Sequence, residues 1–309
     1  MALMRSMLLA ASQNAWLREH AVQYPFVRRS VSRFMPGETA EEAIAAAQVL
    51  RKKNIGTVFT HLGENVADRD EALKVTEHYM EVIARTQELG LDCEVSVKLT
   101  QLGLDFSPDF CADNLEKIIR SERAGKTVWV DMEASNYVDA TLALYKRALS
   151  RRPNVGICLQ AYLYRTKKDL EELLPLRPSI RLVKGAYKEA ANVALPKKTD
   201  VDANYFALGK EMLRAKSAGQ CLRAAFGTHD VPLIRQLGEY VSELRLPKSD
   251  LEVQMLYGIQ RGEQERLARE GGRSIVLVAY GNYWYPWFVR RLAERPANLW
   301  FMLRNVFAS

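Results

Sequence analysis

Short apolar, β-branched runs along this 309-residue chain repeatedly end in a polar or ionisable group: Glu64, Lys98, Asp131, Gln160, Lys184, then Thr228 with His229. A strand covered on both faces stays apolar, because burying an unpaired charge costs several kcal/mol. One such residue is ordinarily a helix cap or half of a rim ion pair. Six runs ending alike describe a shared surface instead. Gln160 and Lys184, with strand-like residues on both sides, are the hardest to assign to capping. The cations Lys98, Arg181, Lys184, Arg290 and Arg291 outnumber the acids Glu64, Asp131 and Glu294 among the candidates. Such a lining attracts carboxylate or phosphate, so the chemistry indicated is recognition of a small anion.

The stretch WYPWFVRRLAERP, from Trp284 to Pro296, adds a helix to this surface. Pro286 suits a first turn, Arg290 and Glu294 stand four apart on one face, and Arg291 lies about 100° round the axis. Adjacent arginines on a helix usually face water. Here the helix follows the last strand-like run, which should lay it across the site. The four histidines, His20, His61, His78 and His229, show no metal-ligand spacing, so no metal is expected. No GxSxG supports a serine nucleophile. The aromatic group Tyr280, Tyr283, Trp284, Tyr285, Trp287 and Phe288 either stacks on a flat ligand or packs the last helix.

The elements that must carry these residues follow from periodicity. Strand-like runs begin near Ile55, Glu94, Thr127, Val155, Ile180, Arg223, Leu251 and Ser274, and helical patterns with apolar residues three and four apart lie between them. Eight repeats of about 30 residues predict an α/β fold, a (β/α)8 TIM-type barrel over residues 55–309 with extra N-terminal helices over 1–54, in a single domain. An open doubly wound sheet is the alternative, but no GxGxxG follows the first run. In the barrel, strand ends converge on one mouth, which is where the polar residues fall. Thr39 is a plausible N-cap for the helix through GETAEEAIAAAQVLRKKN.

Hydrophobic residues make up 48% of the chain, enough for a sizeable core, and Cys93, Cys111, Cys158 and Cys221 form no CxxC pair. That usage suits a reducing, cytoplasmic setting rather than a disulfide framework. No apolar run reaches the roughly 20 residues of a membrane-spanning helix. The net charge of +7 is compatible with nucleic acid, an anionic membrane surface or acidic small molecules. No nucleic-acid-binding module accompanies it, and peripheral membrane contact stays open.

Read together, HLGE, VKLTQLGLD, DME, LQAYLYRTKKDL, RLVKGAY, THD, EVQMLYG and YPWFVRRLAERPANL resemble proline dehydrogenase, the flavin-dependent barrel family, in its short monofunctional bacterial form. The resemblance runs in the family's order from about Gly37 to the C-terminus. It implies noncovalent FAD at the mouth, held by Met132, Gln160, Arg181, Val183, Lys184, Gly185, Ala186, Thr228, His229 and Glu294. It implies that Lys98, Arg290 and Arg291 bind a substrate carboxylate while Tyr187 and Leu256 pack on its ring. Asp131 would sit by the reaction centre, positioning Lys98 or another polar partner, and Arg181 or Lys184 would tune the flavin. Glu64 would pair with Arg290 as a gate. The reaction implied is hydride transfer from the carbon beside the ring nitrogen to the flavin, giving an imine such as pyrroline-5-carboxylate, with a quinone or similar molecule as the final electron acceptor.

The resemblance departs at Leu277, where the family carries a tyrosine over the substrate, and at Ala279, where it carries a proline. Proline, hydroxyproline and an acyclic N-substituted glycine are therefore open as substrates. A flavin-binding regulator without catalysis is the alternative of a different class. Oligomeric state has no signal in the sequence.

Overall fold

Thr39 begins α1 (Ala40–Arg51), the first full helix among the described residues, as the sequence predicts. Its hydroxyl accepts from the Glu42 amide at 3.3 Å and the Glu42 carboxylate accepts from the Thr39 amide at 3.0 Å, so two donors at the helix start are satisfied reciprocally. The computed structural model describes residues 31–123 and 125–285. Residues 1–30, which belong to the expected N-terminal helices, lie outside that range, as does the expected C-terminal helix with Arg290, Arg291 and Glu294.

The chain then alternates strand and helix: β1 (Gly56–His61), α2 (Arg69–Glu88), β2 (Cys93–Val97), α3 (Pro108–Ser121), β3 (Val128–Val130), α4 (Val138–Leu149), β4 (Val155–Gln160) and α5 (Thr166–Leu173). It continues through β5 (Ser179–Val183), α6 (Lys198–Ser217), β6 (Arg223–Gly227), α7 (Val231–Glu243), β7 (Glu252–Leu256), α8 (Arg261–Arg269) and β8 (Arg273–Tyr280). All neighbouring strands are parallel, and β8 returns to β1 from Gly56↔Ile275 to His61↔Tyr280, closing an eight-stranded barrel. The eight runs of the sequence are these eight strands. Each is too short and too apolar to stand alone; closure removes every edge.

Alternation along the strands makes two interiors. Phe59, Val95, Val128, Ile157 and Val276 join Ile83, Leu115, Tyr145 and Leu237 in the shell between sheet and helices. Val58, Trp129, Ala225 and Ile275 come from β1, β3, β6 and β8, of which only β8 and β1 are neighbours, so the cluster reaches across the lumen and forms its central plug. Residues two places on from that plug therefore face the lumen one layer nearer the C-terminal mouth: Asp131 after Trp129, and Leu277 after Ile275. Those two places back face the opposite end, where Arg223 and Arg273 stand.

Candidate active site

Exposure marks the mouth. Strand residues are almost uniformly buried until their C-terminal ends, where His61, Lys98, Asp131, Val183 through Tyr187, Gly227, His229, Leu256 and Leu277 become half-buried. These positions come from β1, β2, β3, β5, β6, β7, β8 and the loops that follow them, so one end of the barrel gathers most residues singled out in the sequence. Gln160 and Thr228 lie just beneath them, buried at 2% and 5% exposure.

The centre of the site is an ion pair. The Arg181 guanidinium bonds the Asp131 carboxylate, and its Nη2 also donates to Ser96 Oγ at 2.7 Å, while Ser96 donates to Asp131 Oδ1 at 2.9 Å. Arg181 Nη1 donates to Gln254 Oε1 at 3.0 Å, and the guanidinium carbon lies 5.2 Å from the centre of the Trp129 ring. Burial is the largest influence and works against the charge on Arg181, but Asp131, Cys158 and Glu94 together outweigh it and raise the pKa above its ordinary value. The cation is permanent. Arg181 stands one layer below the rim, among the plug residues at 2% exposure, rather than on the open mouth. Asp131 positions Arg181, and Lys98 instead places its ammonium 3.9 Å from Glu64 and 3.5 Å from the Gly63 carbonyl. Arg290, the expected gate partner of Glu64, lies outside the described residues.

Gln160 shows how the β4 end is built. Its Nε2 donates to the carbonyls of Met132 and Glu133, both at 3.2 Å, which ties β4 to the loop after β3. Its Oε1 is buried with no donor among the described residues. A buried orphan acceptor costs roughly 1–3 kcal/mol, so the site is built to receive a donor there. Beside it, Gly185 takes φ +115°, and a Cβ there would come within 2.2 Å of the Tyr162 ring. Only glycine lets the RLVKGAY turn run this close. The Lys184 ammonium, by contrast, is directed at Asp202 of α6 and Asp230 before α7. His229 Nε2 accepts from the Leu256 amide at 2.9 Å, and Thr228 Oγ1 accepts from the Asp230 amide at 3.2 Å. The first holds the β6 end against the β7 end, and the second shapes the turn that leads into α7.

Met132 is buried in the main core at 6% exposure, whereas Ala186 and Tyr187 are half-exposed on the turn after β5. Leu256 and Leu277 are paired in register on β7 and β8, forming an apolar wall facing the Asp131–Arg181 pair. All four cysteines are free and buried; burial pushes Cys111 up to about 12 and Cys221 to about 11, so these are packing residues. Sequence reasoning missed Ser96, Trp129 and Gln254. Their signal was a polar or bulky residue at every second place in EVSVK, TVWVD and LEVQML.

A closed parallel barrel that gathers half-buried polar residues and the ion pairs Lys98–Glu64 and Arg181–Asp131 at the C-terminal ends of its strands defines an enzyme-class α/β barrel. A family profile described as Proline dehydrogenase matches residues 43–304. Proline dehydrogenase 1 of Bacillus subtilis (strain 168) is 36% identical over 305 residues, covering 98% of this chain and 99% of its own. The proline dehydrogenase of Deinococcus radiodurans is 36% identical over 280 residues, 89% of each chain. A solved structure of proline utilization A (PutA) from Bdellovibrio bacteriovorus, inactivated by N-propargylglycine, matches with a TM-score of 0.80 at 24% identity. That likeness covers 94% of this chain and 36% of the PutA chain, and it bears on the fold. The chain belongs to the proline dehydrogenase family.

Proposed function

We propose that this protein oxidises proline with a bound flavin, FAD, to the cyclic imine. Family membership implies the flavin, and the residues fit one: Gln160 Oε1 awaits a ring N–H, Gly185 clears the approach, and a permanent cation lies below. The bound flavin supplies the two-electron acceptor that no side chain can provide.

The chain's own groups do the rest. Lys98, with Arg290 and Arg291, takes the substrate carboxylate, and charge-assisted bonds of that kind fix one orientation. Leu256, Leu277 and Tyr187 close on the ring carbons. The amine must be neutral when the carbon beside it gives up its hydride. Cations nearby disfavour the protonated amine, so Lys98 and Arg181 help shed that proton and turnover rises with pH. Arg181, held by Asp131, Ser96 and Gln254, favours negative charge above it. Met132, Gln160, Val183, Lys184, Gly185, Ala186, Thr228, His229 and Glu294 hold the cofactor, Lys184 through its backbone because Asp202 and Asp230 occupy its ammonium. A quinone is the onward acceptor, and the net charge of +7 suits peripheral contact with an anionic membrane where one resides.

The observation that carries this reading is the Arg181–Asp131 pair beneath the mouth, with the Gln160 Oε1 acceptor buried beside it and unmatched among the described residues. The Leu256–Leu277 wall favours proline over hydroxyproline, because a hydroxyl set against two leucines loses its water without gaining a partner. Anaerobic titration should bleach the flavin's visible absorbance with proline, and hydroxyproline should show a kcat/KM at least about tenfold lower. No bleaching with proline would reject the reading; equal efficiency would reject the apolar wall as the discriminator.

A further inference from the structure

We infer that Gln254 is the positioning residue for Arg181: a neutral spacer that gives the guanidinium an acceptor while holding it away from the acids deeper in the barrel. The inference rests on the proposed role of Arg181 beneath the flavin.

Gln254 lies on β7 at 4% exposure, between two charged neighbours. Its Oε1 accepts from Arg181 Nη1 at 3.0 Å, and its Nε2 donates to Glu252 Oε1 at 2.7 Å. An amide can be turned over, but here only one orientation works. The reverse would set an NH2 group against a guanidinium and an oxygen against a carboxylate. Glu252 enforces the choice because it stays charged. Burial pushes its carboxyl up, but Arg223, bonded at 2.6 and 2.8 Å, prevails and holds it below the usual range.

Below Trp129 the arrangement repeats with opposite emphasis. The Arg223 guanidinium carbon lies 5.0 Å from the Trp129 ring centre, and Arg181 lies 5.2 Å from it. Trp129 Nε1 donates to Glu94 Oε2 at 2.9 Å, which fixes the indole. Three arginines, Arg181, Arg223 and Arg273, and three acids, Asp131, Glu94 and Glu252, thus share one lumen. Without a divider, Arg181 could lean toward Glu252 and Glu94, and its charge would be drawn away from the mouth. Trp129 blocks that path sterically. Gln254 blocks it chemically, by presenting a neutral oxygen where a carboxylate would otherwise be in reach.

The test is the flavin's midpoint potential, measured in full-length, flavin-loaded protein by dye equilibration without substrate. Gln254→Met keeps the volume and removes both hydrogen bonds. The expected result is a roughly tenfold loss in the preference for reduced over oxidised flavin, a shift of about 30 mV downward for a two-electron couple. A fall of about tenfold in kcat for proline should accompany it, with KM within about twofold, since the carboxylate clamp is untouched. An unchanged potential overturns the inference. If Gln254→Met fails to load flavin, Gln254→Glu serves: it keeps an acceptor for Arg181 but makes it a full negative charge, and a potential that does not fall overturns the inference equally. Because the potential needs no proline, wild-type protein that binds flavin but is not bleached by proline would reject the proposed function separately.

Discussion

His61 ends β1 with its ring 4.7 Å from that of His78 and 5.4 Å from that of Tyr280, and its Nδ1 is buried without a partner among the described residues. Burial first, then the neighbouring His78 and Lys98, lower its pKa to about 4. Burial lowers His78 as well, and His78 Nε2 shares a 2.9 Å hydrogen bond with the Tyr280 hydroxyl. Unfolded, such a ring takes up a proton near pH 6.5. Between that value and about 4 the unfolded chain holds more protons than the folded one, so stability falls as pH falls. After discounting for partial exposure the loss at His61 is about 2 kcal/mol. The melting temperature should therefore drop between pH 6.5 and 5, before the carboxylates titrate, and His61→Gln should make that slope shallower. Identical slopes would exclude His61 as the titrating group.

At the scale of elements, the strand ends were legible and the strand middles were not. HLGE, DME, RLVKGAY and THD announce themselves because a polar group interrupts an apolar run. Ser96 and Gln254 also interrupt theirs, but nothing local says what they meet. Arg181 reaches them across 85 and 73 residues of sequence, and only barrel closure brings β2, β5 and β7 to one axis. Arg181 itself was readable as a cation on a strand, but its depth was not, since depth depends on the stagger of eight strands. Register between adjacent strands explains Gly156 on β4, which stands opposite Trp129 of β3. A Cβ there would come within 2.6 Å of Trp129 Cε3 and 2.9 Å of Thr127 Cγ2. Gly156→Ala should push the indole off its seat and cost about 1–3 kcal/mol, read as a lower melting temperature. In a Trp129→Phe background the smaller ring leaves room, so the same alanine should cost less. Additive losses in that double-mutant cycle would show that the two positions do not compete for space.

Across the whole molecule, the two barrel ends divide the work. At the N-terminal end a cavity of about 340 Å³ is lined by Lys126, Lys216, Arg223, Arg273, Asp250 and Glu252. Its cations are already matched: Lys126 with Asp92, Lys216 with Asp250 at 3.4 Å, and Arg223 with Glu94 and Glu252, both at 2.6 Å. Arg273 stands 3.6 Å from Glu252 and 4.0 Å from Glu94. A balanced cluster of this kind closes the barrel floor rather than recruiting an anion. Glu94 and Glu252 have side chains only 2% and 3% exposed, and Arg223 is their close cationic partner. Arg223→Met should therefore destabilise by about 3–5 kcal/mol, because it leaves two carboxylates buried with only the looser Arg273 nearby. Removing the whole cluster should do less harm than removing its centre. In Glu94→Gln/Arg223→Met/Glu252→Gln no buried charge is stranded, and much of the loss should return, even though three native partners are gone. Denaturant unfolding of the two variants beside wild type decides the matter. If the triple variant were as unstable as Arg223→Met, the floor would be held by packing and hydrogen-bond geometry, and charge balance would not be what closes it.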